Sequence, residues 1–358
     1  LPDGIPGGGL DAFQHELPPL RVYNPTVPEG IEAVLRQGLS TVPAQRFTSP
    51  LGLVEALREA IERAQSRRSW SGAVRWEIGQ HTRPGRSKLA LDKVNEDHVL
   101  VREQADPPRL LAAVADGIST CDVGSGQLAS MIATLVLDNA IDHDTRGADF
   151  AAKITEFCRH GTQTLLDWAL EKGYGDQLAQ GRDLMGTTLT AGWLEGRELQ
   201  LANLGDSRAY LIDGPQVEQL TVDGDLGSHL LKHGAPPEHL RELGFTAKAL
   251  RQCVGGCTVT PQGNVEVLDD SCVPMITRWP LLPGDIIVLC SDGLVEEGAF
   301  LDEPALGGLV QAHRNLPAQE LAELLADAAD ALQRLPTPLE PEGFGDNISC
   351  IVIKILSG

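Results

Sequence analysis

The sequence predicts an α+β protein whose sheets are mostly antiparallel. Two observations carry that expectation: apolar runs of strand length are joined by short turn signals, and amphipathic stretches come in separate blocks. Strands linked by hairpins, with helices grouped in blocks, do not make the pattern of a doubly wound parallel sheet. No repeat of solenoid length is visible.

Taken in order, residues 1 to 30 are rich in Pro and Gly and read as irregular or extended chain. "IEAVLRQGLS" and "SPLGLVEALREAIERAQ" then place apolar residues at three- and four-residue spacing, the mark of amphipathic helices. Ser49-Pro50 is a start signal for the second of them, Ser as N-cap and Pro at the first helical position. With "VPAQRFTS" between them, this pair resembles the end of the C-terminal lobe of protein kinases, where a "dPxxR" turn joins the last two helices. Pro43 and Arg46 match that turn, Val42 replaces its acidic residue, and the glycine-rich loop, HRD and DFG of a kinase are absent. The segment is therefore expected to pack or link, either as a helical hairpin or as the remnant of an upstream kinase. Residues 1–70 form this first part, and 71–358 form the main domain.

Within 71–358, "RLLAAVA" reads as a strand and "SGQLASMIATLVLDNAI" as a helix, followed by an antiparallel helix in "FAAKITEFCRHGTQTLLDWALEKG". "GTTLTAGWLEGRELQLANLGDSRAYLIDG" gives three strands with turns at Glu195-Gly196 and Gly205-Asp206. "DIIVLCS" is a further strand, "PAQELAELLADAADALQRL" a long amphipathic helix, and "ISCIVIKI" a closing strand.

Composition excludes several classes. Hydrophobic residues at 42% and charged residues at 22% describe a chain of 358 with ample core. Aromatics are only 4%, so that core rests on Leu, Val, Ile and Ala. A net charge of −21 argues against nucleic-acid binding, which needs clustered Lys and Arg. Apolar runs such as "LLAAVA" and "MIATLVL" are far too short for a membrane span. No secretory leader opens the sequence, and its start at "LPDGIPGGG" without methionine suggests a piece of a longer chain, with any targeting signal upstream. The seven cysteines are odd in number and scattered, and Cys253 and Cys257 in "CVGGC" are spaced too widely for a redox or zinc knuckle. They read as reduced thiols of a cytoplasmic protein.

The residues that promise chemistry are carboxylates at strand ends. Asp116-Gly117 ends "LLAAVADG", Asp292-Gly293 ends "IIVLCSDG", Asp346-Asn347 precedes "ISCIVIKI", and Glu96-Asp97 precedes "HVLV". Each alone reads as a turn. If they converge, their mutual repulsion is tolerable only with cations, and all-oxygen ligation selects Mg2+, Mn2+ or Ca2+ over Zn2+. The glycine after an Asp lets the backbone turn sharply and leaves its carbonyl near such an ion.

In their order these motifs resemble the metal-dependent protein phosphatases of type 2C, the PPM family, in its bacterial form. The match runs from about 79 to 355 through "NED", "VADG", "GQLAS", "GTTLTAG", "NLGDSRAYL", "LPGDIIVLCSDGL" and "GDNISCIV". The resemblance implies an αββα sandwich of two antiparallel sheets flanked by helices, preceded here by the small helical segment. It implies two divalent cations, Mn2+ or Mg2+, bridged by Asp116 with the Gly117 carbonyl on one of them. Asp97, Asp292 and Asp346 would complete the second position, and Glu96 would act through water. Asp206 matches an aspartate that in bacterial members holds a third, weaker ion; a turn carboxylate is the competing reading. The implied reaction is hydrolysis of phosphoserine or phosphothreonine in proteins by a hydroxide held between the two cations, with no covalent phosphoenzyme. Partners would be a phosphoprotein and a Ser/Thr kinase or its target.

The pattern also breaks. The family's phosphate-binding arginine, three residues before the Asn of "NED", is Asp92 here, leaving Lys93, Arg86 and Arg83 as phosphate-binding candidates, with Lys88 in the same loop. Ile118 stands where many eukaryotic relatives carry a proton-donating His, and Gly224 where the family's "LTxDHS" carries its histidine before the flap that often sets substrate preference. These departures support an alternative, a pseudophosphatase that binds phosphoproteins without turnover, and a third reading as a metal-stabilised docking domain. Retention of the four aspartates favours the enzyme.

Overall fold

The computed structural model describes residues 20–24, 27–40, 44, 46–142, 144–235, 239, 242–243, 246, 248–260, 263–296, 299–337 and 343–358. Residues 1–19 of the Pro/Gly-rich start, Val42 and Pro43 of the kinase-like turn, and Pro236-Pro237 of the flap-like stretch lie outside the described residues, while Leu20–Tyr23, expected to be irregular or extended, is helical. The chain forms two compact units, Leu1–Trp70 with Asp225–Ala249, and Ser71–Gly224 with Leu250–Gly358. The sequence reading places Asp225–Ala249 in the main domain. Its contacts lie with the first unit instead, and composition carries no signal of such a long-range partnership.

In the first unit, α1 (Leu20–Tyr23), α2 (Glu29–Gly38) and α3 (Pro50–Ser69) are helices. α3 starts where a capping serine and a proline allow it: Ser49 Oγ accepts from Gly52 N at 3.1 Å, with Pro50 in the first turn. Glu32 fastens α2 to α1, its Oε1 accepting from Leu20 N at 3.0 Å and from Arg36 Nε at 2.9 Å.

The second unit begins with β1 (Val74–Arg83), α4 (Arg86–Ala90), β2 (His98–Ala105) and β3 (Pro108–Ala115). Helices α5 (Gly126–Ala140), α6 (Gly147–Glu171) and α7 (Gly175–Ala179) follow, then β4 (Leu189–Glu195), β5 (Glu198–Leu204), β6 (Arg208–Asp213) and β7 (Gln216–Gln219). α8 (Leu226–Lys232) belongs to the first unit, where Tyr23 Oη donates to Leu231 O at 2.7 Å. The chain then returns through β8 (Cys257–Val259), β9 (Val265–Val267), β10 (Met275–Pro280) and β11 (Ile286–Cys290). It closes with α9 (Glu303–His313), α10 (Ala318–Leu332) and β12 (Ile348–Ser357).

Two five-stranded sheets result, in the orders β1-β12-β11-β6-β7 and β10-β5-β4-β3-β2. Every strand pairing in them is antiparallel. Alternation along each strand then feeds two cores at once. Leu110, Ala112 and Val114 of β3 join Ile287 and Leu289 of β11 and Ile351 and Ile353 of β12 in a core shared by both sheets. Leu111, Ala113 and Ala115 point the other way, into a core shared with Ala129 and Ala133 of α5 and Phe150, Ile154 and Phe157 of α6. Val288, Cys290 and Val352 likewise meet Leu321 and Leu325 of α10. The layers are α, β, β, α. Coverage on both faces is why "LLAAVA" and "IIVLC" read as unbroken apolar runs.

The glycines expected at hairpin turns adopt the left-handed backbone those turns need, φ 61° at Gly196 and 93° at Gly205. Cys158, Cys290 and Cys350 are small core residues, and all seven cysteines are free thiols. No helix among the described residues is long and apolar enough to cross a membrane.

Candidate active site

Strand register brings the first two carboxylates together. His98 pairs with Ala115, so Asp97, just before β2, and Asp116, just after β3, emerge at the same end of one ladder. The Asp116 backbone is clamped there. Its N–H donates to Thr188 Oγ1 at 3.0 Å, and its carbonyl accepts from Thr188 N and Thr187 Oγ1, each at 2.8 Å. Both threonines are buried and come from "GTT", which leads into β4.

The other sheet contributes the next two. β11 and β12 pair Cys290 with Cys350, which places Asp292 beside the Asp346-Asn347 turn. Ser291 stitches the two sheets at this point: its Oγ accepts from Ser349 N at 3.1 Å and donates to Asp97 Oδ2 at 2.8 Å. Asn347 N donates to Asp346 Oδ1 at 2.8 Å.

The glycines of the Asp-Gly pairs act by lacking a side chain. Neither Gly117 nor Gly293 has a positive φ. A Cβ on Gly117 would collide with the Gly126 carbonyl and with Glu96 O, and a Cβ on Gly293 would collide with Asn347 O. Each therefore lets two segments of the site approach within backbone contact. Glu96 sits at the rim, its Oε2 accepting from Ser119 Oγ and its carbonyl from Ser130 Oγ at 2.6 Å.

Electrostatics record the convergence. Burial, opposed by hydrogen bonds from Ser349 and Ser291 and reinforced by Asp346, pushes Asp97 up to about 6. Burial raises Asp116 well above the usual carboxylate range, with Asp97, Asp292, Asp346 and Asp206 adding to it. Asp292 is raised in the same way, by burial first and then by Asp346, Asp206, Glu296 and Asp97. Asp206, on the β5–β6 turn, thus lies within electrostatic reach of both Asp116 and Asp292.

These residues fit divalent cations. Oδ1 of Asp97 and Oδ1 of Asp292 are buried without a hydrogen-bond partner, and the carboxylates offer only oxygen. Among the described residues, however, no three His, Cys, Asp or Glu side chains close into a finished coordination cage. The aspartates are neighbours in charge and not a preformed shell, so the fit rests on the orphaned oxygens and the donor type.

The phosphate-binding candidates divide. Arg83 Nη2 lies 2.8 Å from Asp327 and 3.8 Å from Asp330 on α10, a charge contact without hydrogen-bond geometry. Arg86 is held by Asp330, through its backbone N at 2.7 Å and Nε at 3.2 Å. Lys93 is exposed, and its N–H caps Lys88 O at 3.0 Å. The ion pairs of Arg83 and Arg86 thus run to α10. A cation that does reach a site carboxylate is Lys88, whose Nζ lies 3.0 Å from Asp346 Oδ1.

Sequence reasoning missed Thr187, Thr188, Ser291 and Ser349 as parts of the site, and it noted Lys88 only as one basic residue of the loop before "NED". The hydroxyls had a weak signal, since each adjoins a motif carboxylate or pairs with one across a ladder. Nothing in the sequence ranked Lys88 above its basic neighbours, because helix α4 is too short to show periodicity. His98 points away from the aspartates, its Nδ1 2.9 Å from Thr134 Oγ1 on α5, as strand alternation after Asp97 requires.

Comparison with known proteins shows the family and the fold. The sequence profile of the family described as Protein phosphatase 2C matches residues 84–329. The serine/threonine protein phosphatase PstP of Mycobacterium tuberculosis is 30% identical over 249 residues, 69% of this chain and 40% of that protein, so the chain spans less than half of its relative. The crystal structure of the M. tuberculosis phosphatase PstP/Ppp shares the fold, with a TM-score of 0.56 at 24% identity over 80% of this chain and all of that one. A structure of the PstP catalytic domain in complex with 2 manganese ions aligns with a TM-score of 0.51, also at 24% identity, over 80% of this chain and 100% of that one.

Proposed function

Because the chain belongs to the protein phosphatase 2C family, we propose that it hydrolyses phosphoserine and phosphothreonine in proteins, with Asp97, Asp116, Asp292 and Asp346 holding two divalent cations. The observation that carries this reading is the pair of orphaned, buried Oδ1 atoms on Asp97 and Asp292, set among carboxylates that raise one another's pKa. Such an arrangement is costly without positive charge and useful with it. Mn2+ or Mg2+ suits the oxygen donors, and the manganese in the PstP catalytic domain supports the choice. When bound, the cations would bring a water's pKa to near neutrality and offset charge on the phosphoryl oxygens.

The chain's own residues orient the rest. Ser291 takes Oδ2 of Asp97 and so turns Oδ1 to the site. Thr187 and Thr188 fix the Asp116 backbone, and Gly117, which fits only without a side chain, presents its carbonyl beside Glu96. Glu96, which accepts from Ser119, would act through water, and Asp206, within electrostatic reach of Asp116, would serve a third, weaker ion. Nothing asks for a covalent acceptor. Burial pushes Cys350 up to about 12 and Cys290 higher still, so neither is a thiolate at neutral pH.

The substrate in this reading is a phosphoprotein made by a Ser/Thr kinase, met in the cytoplasm, where seven free thiols stay reduced. Residues 1–70 pack or link. The test is hydrolysis of para-nitrophenyl phosphate and a phosphothreonine peptide with Mn2+, against EDTA. Turnover that requires the metal is expected. Metal binding with no turnover on either substrate would leave a phosphoprotein-binding module in its place.

A further inference from the structure

An ammonium group stands inside the acidic site. Lys88 is 9% exposed, and its Nζ lies 3.0 Å from Asp346 Oδ1. Glu96 and Asp116 lie within electrostatic reach of it behind Asp346, so the ammonium stands among carboxylates.

The chain is built to put it there. Gly85, which precedes α4, and Gly345, which precedes Asp346, both pack on Gln333. A Cβ on either would collide with that side chain, and one on Gly85 would also collide with Asp346 O. Gln333 is buried, donates from Nε2 to Asp346 O at 2.8 Å, and accepts at Oε1 from Ser87 N at 3.4 Å. The glutamine thus ties α4 to the segment entering β12 and carries Lys88 to Asp346. The flanking arginines are drawn off to Asp327 and Asp330 on α10.

We propose that Lys88 is the protein's own ligand for the substrate phosphoryl group, its ammonium donating to a nonbridging oxygen beside the cations. The proposal rests on the phosphatase reading. An ammonium has three N–H donors, and the Asp346 contact uses one. A dianionic phosphoryl group entering a space lined by Asp97, Asp116, Asp292 and Asp346 must meet positive charge, and Lys88 supplies some that no metal exchange removes. A point charge on a flexible stem grips one oxygen where a guanidinium fork grips two. Its loss should therefore weaken phosphate binding more than it slows the chemical step.

The experiment compares the full chain with Lys88→Met, Lys88→Gln and Lys88→Arg, each checked for folding by its melting curve. Inorganic phosphate binding to the Mn2+-loaded protein is measured by calorimetry, Mn2+ binding separately, and KM and kcat on a phosphothreonine peptide. A charge-assisted hydrogen bond contributes about 1.5–3 kcal/mol, which is roughly 10- to 100-fold in affinity. Lys88→Met and Lys88→Gln should weaken phosphate binding and raise KM by that factor, kcat should move less, and Lys88→Arg should retain most of the binding. Unchanged phosphate affinity in Lys88→Met overturns the proposal, above all if Mn2+ affinity shifts instead, since Lys88 would then only prop Asp346. A wild type that turns over neither substrate sinks the phosphatase reading, while the phosphate calorimetry still decides the role of Lys88.

Discussion

One oxygen of Asp97 is satisfied and the other is not. Ser291 Oγ serves Oδ2, while Oδ1 is buried with no partner, and Asp292 Oδ1 is in the same position. A buried carboxylate without a counter-charge is destabilising, and neighbouring carboxylates add to the cost. The chain carries this cost in at least three side chains whose pKa values are raised together. Replacing Asp292 by Asn keeps the shape and removes one charge. In EDTA near neutral pH, Asp292→Asn should melt higher than the wild type, by roughly 1 kcal/mol or more for each pKa unit relieved. Added Mn2+ should stabilise the wild type by mass action and the variant much less. Metal-dependent turnover should fall by more than about 100-fold, since even groups that only support metal ligands contribute 10- to 100-fold. Parallel melting curves with and without Mn2+ check all three arms, and a variant that melts lower in EDTA would mark Asp292 as a structural residue.

At the scale of elements, the junction of α6 with its sheet shows how a helix end is satisfied from a distance. The residue before α6, Arg146, makes no side-chain cap. Glu195, the last residue of β4, does the work instead: Oε2 accepts from Gly147 N at 2.6 Å and Oε1 from Arg109 Nε at 2.7 Å. Burial would raise the pKa of Glu195, but the Gly147 N–H and Arg109 outweigh it and hold the pKa below the usual value. The folded state therefore binds this proton less tightly than the unfolded chain does. The stabilisation is present above the unfolded pKa and is lost as pH falls through and below it. Glu195→Gln should cost about 0.5–1 kcal/mol at pH 7, as for a weakened cap, and should flatten the acid limb of stability below about pH 4.5. Urea unfolding between about pH 3 and 7 measures both. Elements such as α5, α6, α10, β3, β11 and β12 were legible in the sequence because each is long and apolar on at least one face. The carboxylates were legible because each ends such a strand. What stayed hidden was set by side chains far apart in sequence: the Glu195 cap, the Gln333 tie that places α4, the capture of Arg83 and Arg86 by α10, and the pairing of α8 with α1. Periodicity reports which face is apolar and says nothing about which distant partner meets it.

For the whole second unit, stability and function draw on different layers. The inter-sheet core is aliphatic, and Leu289 in the middle of β11 is fully buried there, close enough to β4 that a Cβ on Gly192 would lie 3.8 Å from its Cδ2. The aspartates occupy only the strand ends. Truncating Leu289 to Ala removes buried methyl groups and leaves a cavity between two sheets whose hydrogen-bonded ladders limit collapse, so it should cost about 2–5 kcal/mol. Only Cys290 and Ser291 separate it from Asp292, yet the site is fixed by contacts of its own: Ser291 to Asp97 and Ser349, Asn347 N to Asp346, and Gly293 against Asn347. Leu289→Ala should therefore unfold earlier in urea while its KM for Mn2+-dependent hydrolysis, measured well below the transition, stays within about twofold of wild type. Asp292→Asn should do the reverse, gaining stability in EDTA and losing activity. Opposite responses in the two variants would follow from a layered fold that keeps its charge at one rim. A Leu289→Ala protein that stays folded yet loses Mn2+ affinity would instead couple the site to the core, and the independence argued here would be wrong.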